Sequence, residues 1–272
     1  MGLAAGARRR HRRRTMPIPD TIPRLALVTG GAQRIGRSIA LALARSGFDI
    51  ALHYGHSAAE AQRMLAEIRS LGRRAEAFQA ELELEQSVAA LLPAVTAALG
   101  PVGVLVNNAS RFERDEWDDA DRQSWDRHME ANLRAPFVLS QAFARALPAD
   151  SEGVVVNMLD QRVWSLTPHF ISYSLSKAGL WALTQSLALA LAPRIRVNGI
   201  GPGPALPSPR QSPEHFARQC AGVPLGHGTS PEEVAEAVLA ILRLPAMTGQ
   251  MIALDGGQHL QWSPARDREA GA

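Results

Sequence analysis

The chain holds two tyrosines and a single lysine, and that lysine follows a tyrosine by four positions in "YSLSK", Tyr173 to Lys177. Residues i and i+4 share one face of a helix, so the two side chains project together. A free phenol, with a pKa of ~10, exchanges its proton poorly at neutral pH. A nearby ammonium favours the phenolate and turns the tyrosine into a usable general acid/base. Arginine, used everywhere else in the chain, is a broad planar fork, whereas lysine is a compact point charge with three donors. The spacing therefore predicts proton-transfer chemistry on a helix, with Lys177 lowering the proton affinity of Tyr173.

A second constellation is "VTGGAQRIG". It follows an apolar run and opens a helical pattern, which is the setting a dinucleotide-binding turn requires. Gly30 and Gly36 allow a tight turn and close backbone approach, and the helix N-terminus offers free N–H groups to a pyrophosphate. Arg34 stands where a middle glycine is common and brings a guanidinium beside the expected phosphates. At the end of the next apolar run an acid would bind a ribose 2′-OH and repel a 2′-phosphate. The chain has "LHYGHS" instead, so His53, Tyr54, His56 and Ser57 offer donors and no carboxylate. With Arg34 and Arg37 nearby, NADP(H) is expected over NAD(H).

The elements that must position these groups read as alternating strands and helices. "RLALVT", "FDIALHY", "AEAFQA", "VGVLVNNAS", "SEGVVVNML", "RIRVNGI" and "GQMIALDGG" are strand-like, with helical patterns between them. The helix of Tyr173 is predicted from about Ser172 to Leu191, and Pro93 should offset or kink the helix that contains it. Continuous apolar strands separated by helices indicate a doubly wound α/β sheet covered on both faces. Residues 201–231, with seven prolines and little periodicity, read as a substrate lid beyond a strand end.

Composition narrows the classes. At 272 residues, with 46% hydrophobic and 20% charged residues, the chain suits one soluble globular domain. No apolar run approaches the ~20 residues needed to span a bilayer. The lone Cys220 excludes an internal disulfide, fits a reducing, cytoplasmic setting, and reads as a buried structural thiol. The net charge of +3 comes from a tail: six arginines lie in "ARRRHRRR", and without them 23 basic residues face 26 acidic ones. That tail could be a nucleic-acid or membrane-surface arm or a transit peptide. We read it instead as a disordered extension over residues 1–20, ahead of a reductase domain at 21–262 and a C-terminal tail at 263–272. Neither a nucleic-acid partner nor a membrane is expected, and no metal site is apparent.

Taken in order, "TGGAQRIG", "NNAS" (107–110), "ANLRAPF" (131–137), "YSLSK" and "GPG" (201–203) make residues 24–262 resemble the short-chain dehydrogenase/reductases. The resemblance implies a nicotinamide-dependent oxidoreductase on a seven-stranded, mostly parallel Rossmann-type sheet, commonly a homotetramer. It implies Tyr173 as proton donor, Lys177 on the nicotinamide ribose, and Asn132 supporting a proton-relay water. Cofactor contacts would come from Gly30, Arg34, Ile35 and Gly36, from His53, Tyr54, His56 and Ser57, and from Glu81 and Leu82. Asn108 and Ala109 would line the adenosine side, and Pro202 and Gly203 the nicotinamide side. At Glu81 the family more often carries Asp.

Most relatives place a Ser about a dozen residues before the Tyr. Here that position is Asp160, in "VVVNMLDQRVW". A hydroxyl donates to a carbonyl oxygen, whereas an ionised carboxylate only accepts. Asp160 thus suits a substrate presenting nitrogen, and beside Tyr173 it would oppose loss of the phenol proton. The pattern is similar to pteridine reductases and dihydromonapterin-type reductases. That likeness implies Phe112 stacked on a flat pterin, with Ser110 and Arg34 on its polar edge. The expectation is an NADPH-dependent pterin or dihydropterin reductase acting on a C=N bond. A carbonyl reductase or alcohol dehydrogenase of the same family is the alternative, and a non-catalytic nucleotide-sensing protein a third.

Overall fold

Seven strands form on the short apolar runs: β1 Leu25–Val28, β2 Asp49–Tyr54, β3 Ala75–Gln79, β4 Val104–Asn107, β5 Gly153–Met158, β6 Ile195–Pro202 and β7 Met251–Leu254. They make one sheet in the order β3-β2-β1-β4-β5-β6-β7, every neighbouring pair parallel. This computed structural model describes residues 16–208 and 211–261.

Strand alternation explains the two cores. In β1, Ala26 and Val28 face one layer while Leu25 and Leu27 face the other. Helices α1 (Arg34–Arg45), α2 (Ala58–Ser70) and α8 (Pro231–Arg243) cover the first face through Ile39, Leu43, Met64, Ile68, Val234 and Val238. Helices α3 (Glu85–Leu99), α5 (Ala135–Ala146) and α6 (Ile171–Ala190) cover the second through Val88, Leu92, Leu139, Phe143 and Leu187. Burial on both faces is what continuous apolar strands require. The strand order reverses between β1 and β4, so their carboxyl ends frame the crevice where ligands of such sheets bind.

Several expectations need correction. Helix α3 spans Glu85–Leu99 with Pro93 inside it, so the proline does not end the helix. The stretch between β4 and β5, which lacks a clear period, holds α4 (Arg122–Met129), a π-helical turn (Glu130–Arg134) and α5. The proline-rich 201–231 segment is not wholly irregular, because it contains α7 (Pro213–Ala221). Ser212 caps that helix by accepting from the His215 amide, and Pro213 suits its first turn. Helix α7 buries none of its residues, so Cys220 is a half-exposed thiol and not a core one.

The tail expectation also changes at its inner end. Ile18 packs against the core, and the Arg24 guanidinium donates to the Ile18 carbonyl and to Asp20, both at 3.0 Å. Residues 1–15, 209–210 and 262–272 lie outside the described part, and with them the Arg-rich stretch and the C-terminal tail. No described helix is long and apolar enough to cross a membrane.

Candidate active site

The turn after β1 is stitched to the segment after β4. Asn108 Nδ2 donates to the Thr29 and Gly30 carbonyls at 2.8 and 3.2 Å, and Thr29 Oγ1 accepts from the Asn108 and Ala109 amides. Gly30 is left-handed (φ +60), and a Cβ on Gly36 would stand 2.2 Å from the Gly30 carbonyl oxygen. Both glycines are therefore required by the turn itself. The first turn of α1 carries no acid, and Gln33 supplies no side-chain cap, so its N–H groups stay available to an anion. A dinucleotide phosphate fits this cradle, since the missing Cβ atoms are what would otherwise fill it.

Arg34 is itself left-handed (φ 52), a conformation costing a non-glycine residue roughly 1 kcal/mol. Its guanidinium reaches the Leu206 and Pro207 carbonyls at 3.5 and 3.0 Å. It thus links the glycine turn to the proline-rich segment. Ile35 packs partly against the core and Leu82 is buried, so their main chains are what they could offer a nucleotide.

His53 departs from expectation. It is 2% exposed, its Nδ1 accepts the Gly30 amide at 3.1 Å, and its Nε2–H donates to the Ala80 carbonyl at 3.0 Å. Both ring nitrogens are engaged inside the fold, so His53 offers no donor to a nucleotide. Burial holds its pKa below the usual histidine value and keeps it neutral. Tyr54 likewise leans on the core. His56 stays exposed, 3.4 Å from Glu81, and the Ser57 hydroxyl caps nothing although it heads α2.

Helix α6 carries Tyr173 and Lys177 on its buried face, at 5% and 2% exposure. The Tyr173 hydroxyl donates to Asp160 Oδ2 at 2.8 Å. Asp160 lies just past β5 and caps the 3₁₀ turn Gln161–Val163, its Oδ1 accepting the Arg162 amide at 2.8 Å. The Arg162 guanidinium donates to Oδ2 at 3.3 Å. Lys177 does not meet the phenol oxygen: its Nζ donates to the Met158 carbonyl at 2.8 Å and lies 5.8 Å from the Tyr173 ring centre.

The electrostatics follow these contacts and overturn one expectation. Burial first, and the Asp160 charge second, push the Tyr173 phenol well above its ordinary pKa, with Arg162 opposing them. Lys177 does not lower it here, because the ammonium is aimed at a backbone carbonyl. Burial lowers Lys177 itself to about 8, partly offset by Asp160. Tyr173 is thus a firmly protonated acid at neutral pH.

Asn132 sits in the π-helical turn, fully buried. Its Oδ1 accepts from the Arg111 amide and the Ser110 hydroxyl, and its Nδ2 donates to the Arg111 carbonyl and Ser176 Oγ. The side chain thus ties the loop after β4 to α6, which leaves its main-chain carbonyl as the group it could offer a relay water.

On the substrate side Phe112 is 44% exposed and one of its faces is taken: Phe170 stacks on it at 4.8 Å with 5° between planes. Its ring also meets Tyr173 edge-on at 4.8 Å. The exposed Ser110 hydroxyl lies 3.1 Å from Asn132 Oδ1. Pro202 ends β6, and a Cβ on Gly203 would stand 2.7 Å from Asp255 Cα, so this glycine lets the β6 and β7 ends converge.

Two residues were not singled out from sequence. Arg162 pairs with Asp160 and holds its guanidinium 5.7 and 5.2 Å from the Phe112 and Phe170 ring centres. Its position two residues after Asp160 is a readable turn signal. Phe170 carries none, since only packing brings it onto Phe112. Among the described residues no His, Cys, Asp and Glu cluster could hold a metal ion.

Comparison with known proteins bears on this site. The family model for short chain dehydrogenase matches residues 24–215. The FolM alternative dihydrofolate reductase 1 of Brucella canis, solved complexed with NADP, is 45% identical, with a TM-score of 0.87 over 92% of this chain and 100% of that one. Its Brucella suis counterpart, in complex with NADP, is 47% identical with a TM-score of 0.85, covering 89% and 96%. A probable galactose dehydrogenase of Rhizobium meliloti is 38% identical over 189 residues, 68% of this chain and 73% of its own.

Proposed function

The chain belongs to the short-chain dehydrogenase family, and from that premise we propose that it is an NADPH-dependent reductase of a pterin or dihydropterin. The observation that carries the substrate class is the hydrogen bond from Tyr173 to Asp160. A carboxylate there cannot donate to a ketone oxygen as a hydroxyl would, and the likeness to the two FolM reductases points the same way. NADPH would be held by the Gly30–Gly36 turn, Asn108 and Ala109, His56 and Ser57, Lys177, and the Pro202–Gly203 end of β6; when bound it supplies the hydride.

The remaining chemistry is a proton delivered to nitrogen. In the resting pair the phenol proton points at Asp160. Once Asp160 takes a proton from solvent, it donates back to the Tyr173 oxygen, and the Tyr173 O–H turns to the substrate. Burial raises the cost of a free phenolate, so the tyrosine gives up its proton only as another arrives. The face of Phe112 opposite Phe170 accepts the flat heterocycle, with Ser110 and Arg34 at its edge. Arg34, through Leu206 and Pro207, supports reading residues 201–231 as a lid. The proposal includes residues 21–262 as one reductase domain, a homotetramer and a cytoplasmic location.

NADPH oxidation measured across dihydropterins, dihydrofolate and simple ketones tests this reading. Turnover of the pterins is expected; brisk ketone turnover without pterin activity would overturn it. A hydroxyl or carbonyl substrate is the second reading, favoured by the likeness to the probable galactose dehydrogenase.

A further inference from the structure

Asp115 takes no part in the chemistry above, yet it is 4% exposed and turned toward α6, with a further contact to α4. Its carbonyl accepts the Phe170 and Ile171 amides at 2.9 and 3.4 Å. Its Oδ1 accepts the Ser172 amide at 3.2 Å, and its Oδ2 accepts the Ser172 and Ser124 hydroxyls. The first amides of a helix have no partner within it and are commonly satisfied by a side chain just ahead. In α6 that position is Phe170, left-handed and with no capping side chain. The cap therefore comes from 57 residues upstream, as a carboxylate at the positive end of the helix dipole.

The same contacts close a loop through a histidine. The Ser172 hydroxyl gives its proton to Asp115, so it accepts from His128 Nδ1–H at 2.6 Å. His128 Nε2 then accepts the Glu113 amide at 3.2 Å. Glu113 adjoins Phe112, and Ser172 adjoins Tyr173. Asp115 and His128 thus tie the backbone beside the exposed aromatic ring to the backbone beside the proton donor, whose rings meet at 4.8 Å.

We propose that Asp115 is a positioning residue for the reaction: by capping α6 from the loop after β4, it holds Tyr173 against Phe112 so that acid and bound heterocycle keep their relative placement. The kinetic consequence rests on the reductase reading; the coupling of loop to helix does not. Misplacing reacting groups by about 1 Å costs up to about 100-fold in rate. Asn at this position keeps an oxygen for the Ser172 amide, and the two hydroxyls can turn to accept from its NH₂. Ala keeps the carbonyl for the Phe170 and Ile171 amides but leaves the Ser172 amide without its carboxylate.

The test compares Asp115→Ala and Asp115→Asn, each alone and with Phe112→Ala, in the NADPH-bound enzyme. Asp115→Ala should lower kcat by about 30-fold, with KM changed by less than about 3-fold, and speed hydrogen exchange of the Ser172 amide. Asp115→Asn should restore kcat to within about 3-fold of wild type. In the Phe112→Ala background the loss from Asp115→Ala should shrink to about 3-fold. Unchanged kcat and exchange in Asp115→Ala, or additive losses with Phe112→Ala, would overturn the proposal. Should Asp115→Ala fail to fold, Ser172→Ala, which removes the Oδ2 and His128 contacts and keeps the amide cap, takes its place: a slowed kcat supports the tie and an unchanged kcat overturns it. If the wild-type protein reduces no pterin, the reductase reading falls alone, and the exchange comparison still decides the role of Asp115.

Discussion

Tyr173 gives its hydroxyl proton to Asp160 Oδ2 at 2.8 Å, and the ammonium four residues later is committed elsewhere, to the Met158 carbonyl. The proton affinity of this phenol is therefore raised by burial first and by the carboxylate second. A tyrosine flanked this way holds its proton firmly and releases it only as another arrives.

Replacing Asp160 with Ser separates the two substrate readings. Pterin kcat/KM should fall by about 100-fold, the lower end of what a positioned acid contributes. Any ketone turnover should hold or rise, because a hydroxyl now donates to the carbonyl. Tyr173→Phe should abolish both. Steady-state NADPH oxidation on paired substrates reads all three outcomes.

Lys177, lowered to about 8 by burial from an ordinary 10.5, gives a stability signature on the alkaline side. Between those values the unfolded chain holds a proton that the native protein lacks, so stability rises with pH. Below about 8 both states are protonated, and the buried charge costs on the order of 3 kcal/mol. Urea unfolding should show wild type gaining on Lys177→Met from pH 8 to 10. In NADPH binding the same group should produce a basic limb near 8, absent from Lys177→Arg because a guanidinium stays charged.

A methyl group at Gly36 would fall 2.2 Å from the Gly30 carbonyl oxygen and 2.6 Å from Asn108 Nδ2. Gly36→Ala must open the turn, since one neighbour is backbone and the other holds the turn together. NADPH affinity should drop roughly 100-fold, or about 2.7 kcal/mol, by fluorescence titration.

His53, kept neutral by burial, shapes the acid side of the stability curve. Its folded pKa is depressed, so below an ordinary value of about 6.5 the unfolded chain binds a proton that the native state resists. Stability should fall as pH drops through that point, and less steeply in His53→Gln. His128, lowered mainly by burial as well, adds a loss of the same sign. The difference between wild type and His53→Gln in thermal melts from pH 7 to 5 is therefore the readout.

Much of this protein was legible without coordinates. The seven strands, the glycine turn opening α1 and the helix under "YSLSK" follow from short-range patterns, while the Asp160 partner was implied by the family resemblance. Periodicity of apolar residues and the steric needs of a tight turn are local properties, and sequence states them directly. The proline-rich segment was less legible: Ser212 and Pro213 start a helix there that apolar periodicity does not announce.

The partner chosen by each buried polar group was not legible. Lys177 bonds the Met158 carbonyl 19 positions away, His53 spans from Gly30 to Ala80, and Asn132 spends itself on Ser110, Arg111 and Ser176. Phe170 lies on Phe112, and Asp115 caps a helix from another element. Once water is excluded, each donor or acceptor must pair with whatever the packed elements bring within about 3 Å. Local sequence names the groups available for chemistry; the long-range approach of strand ends, loop and helix selects which of them meet.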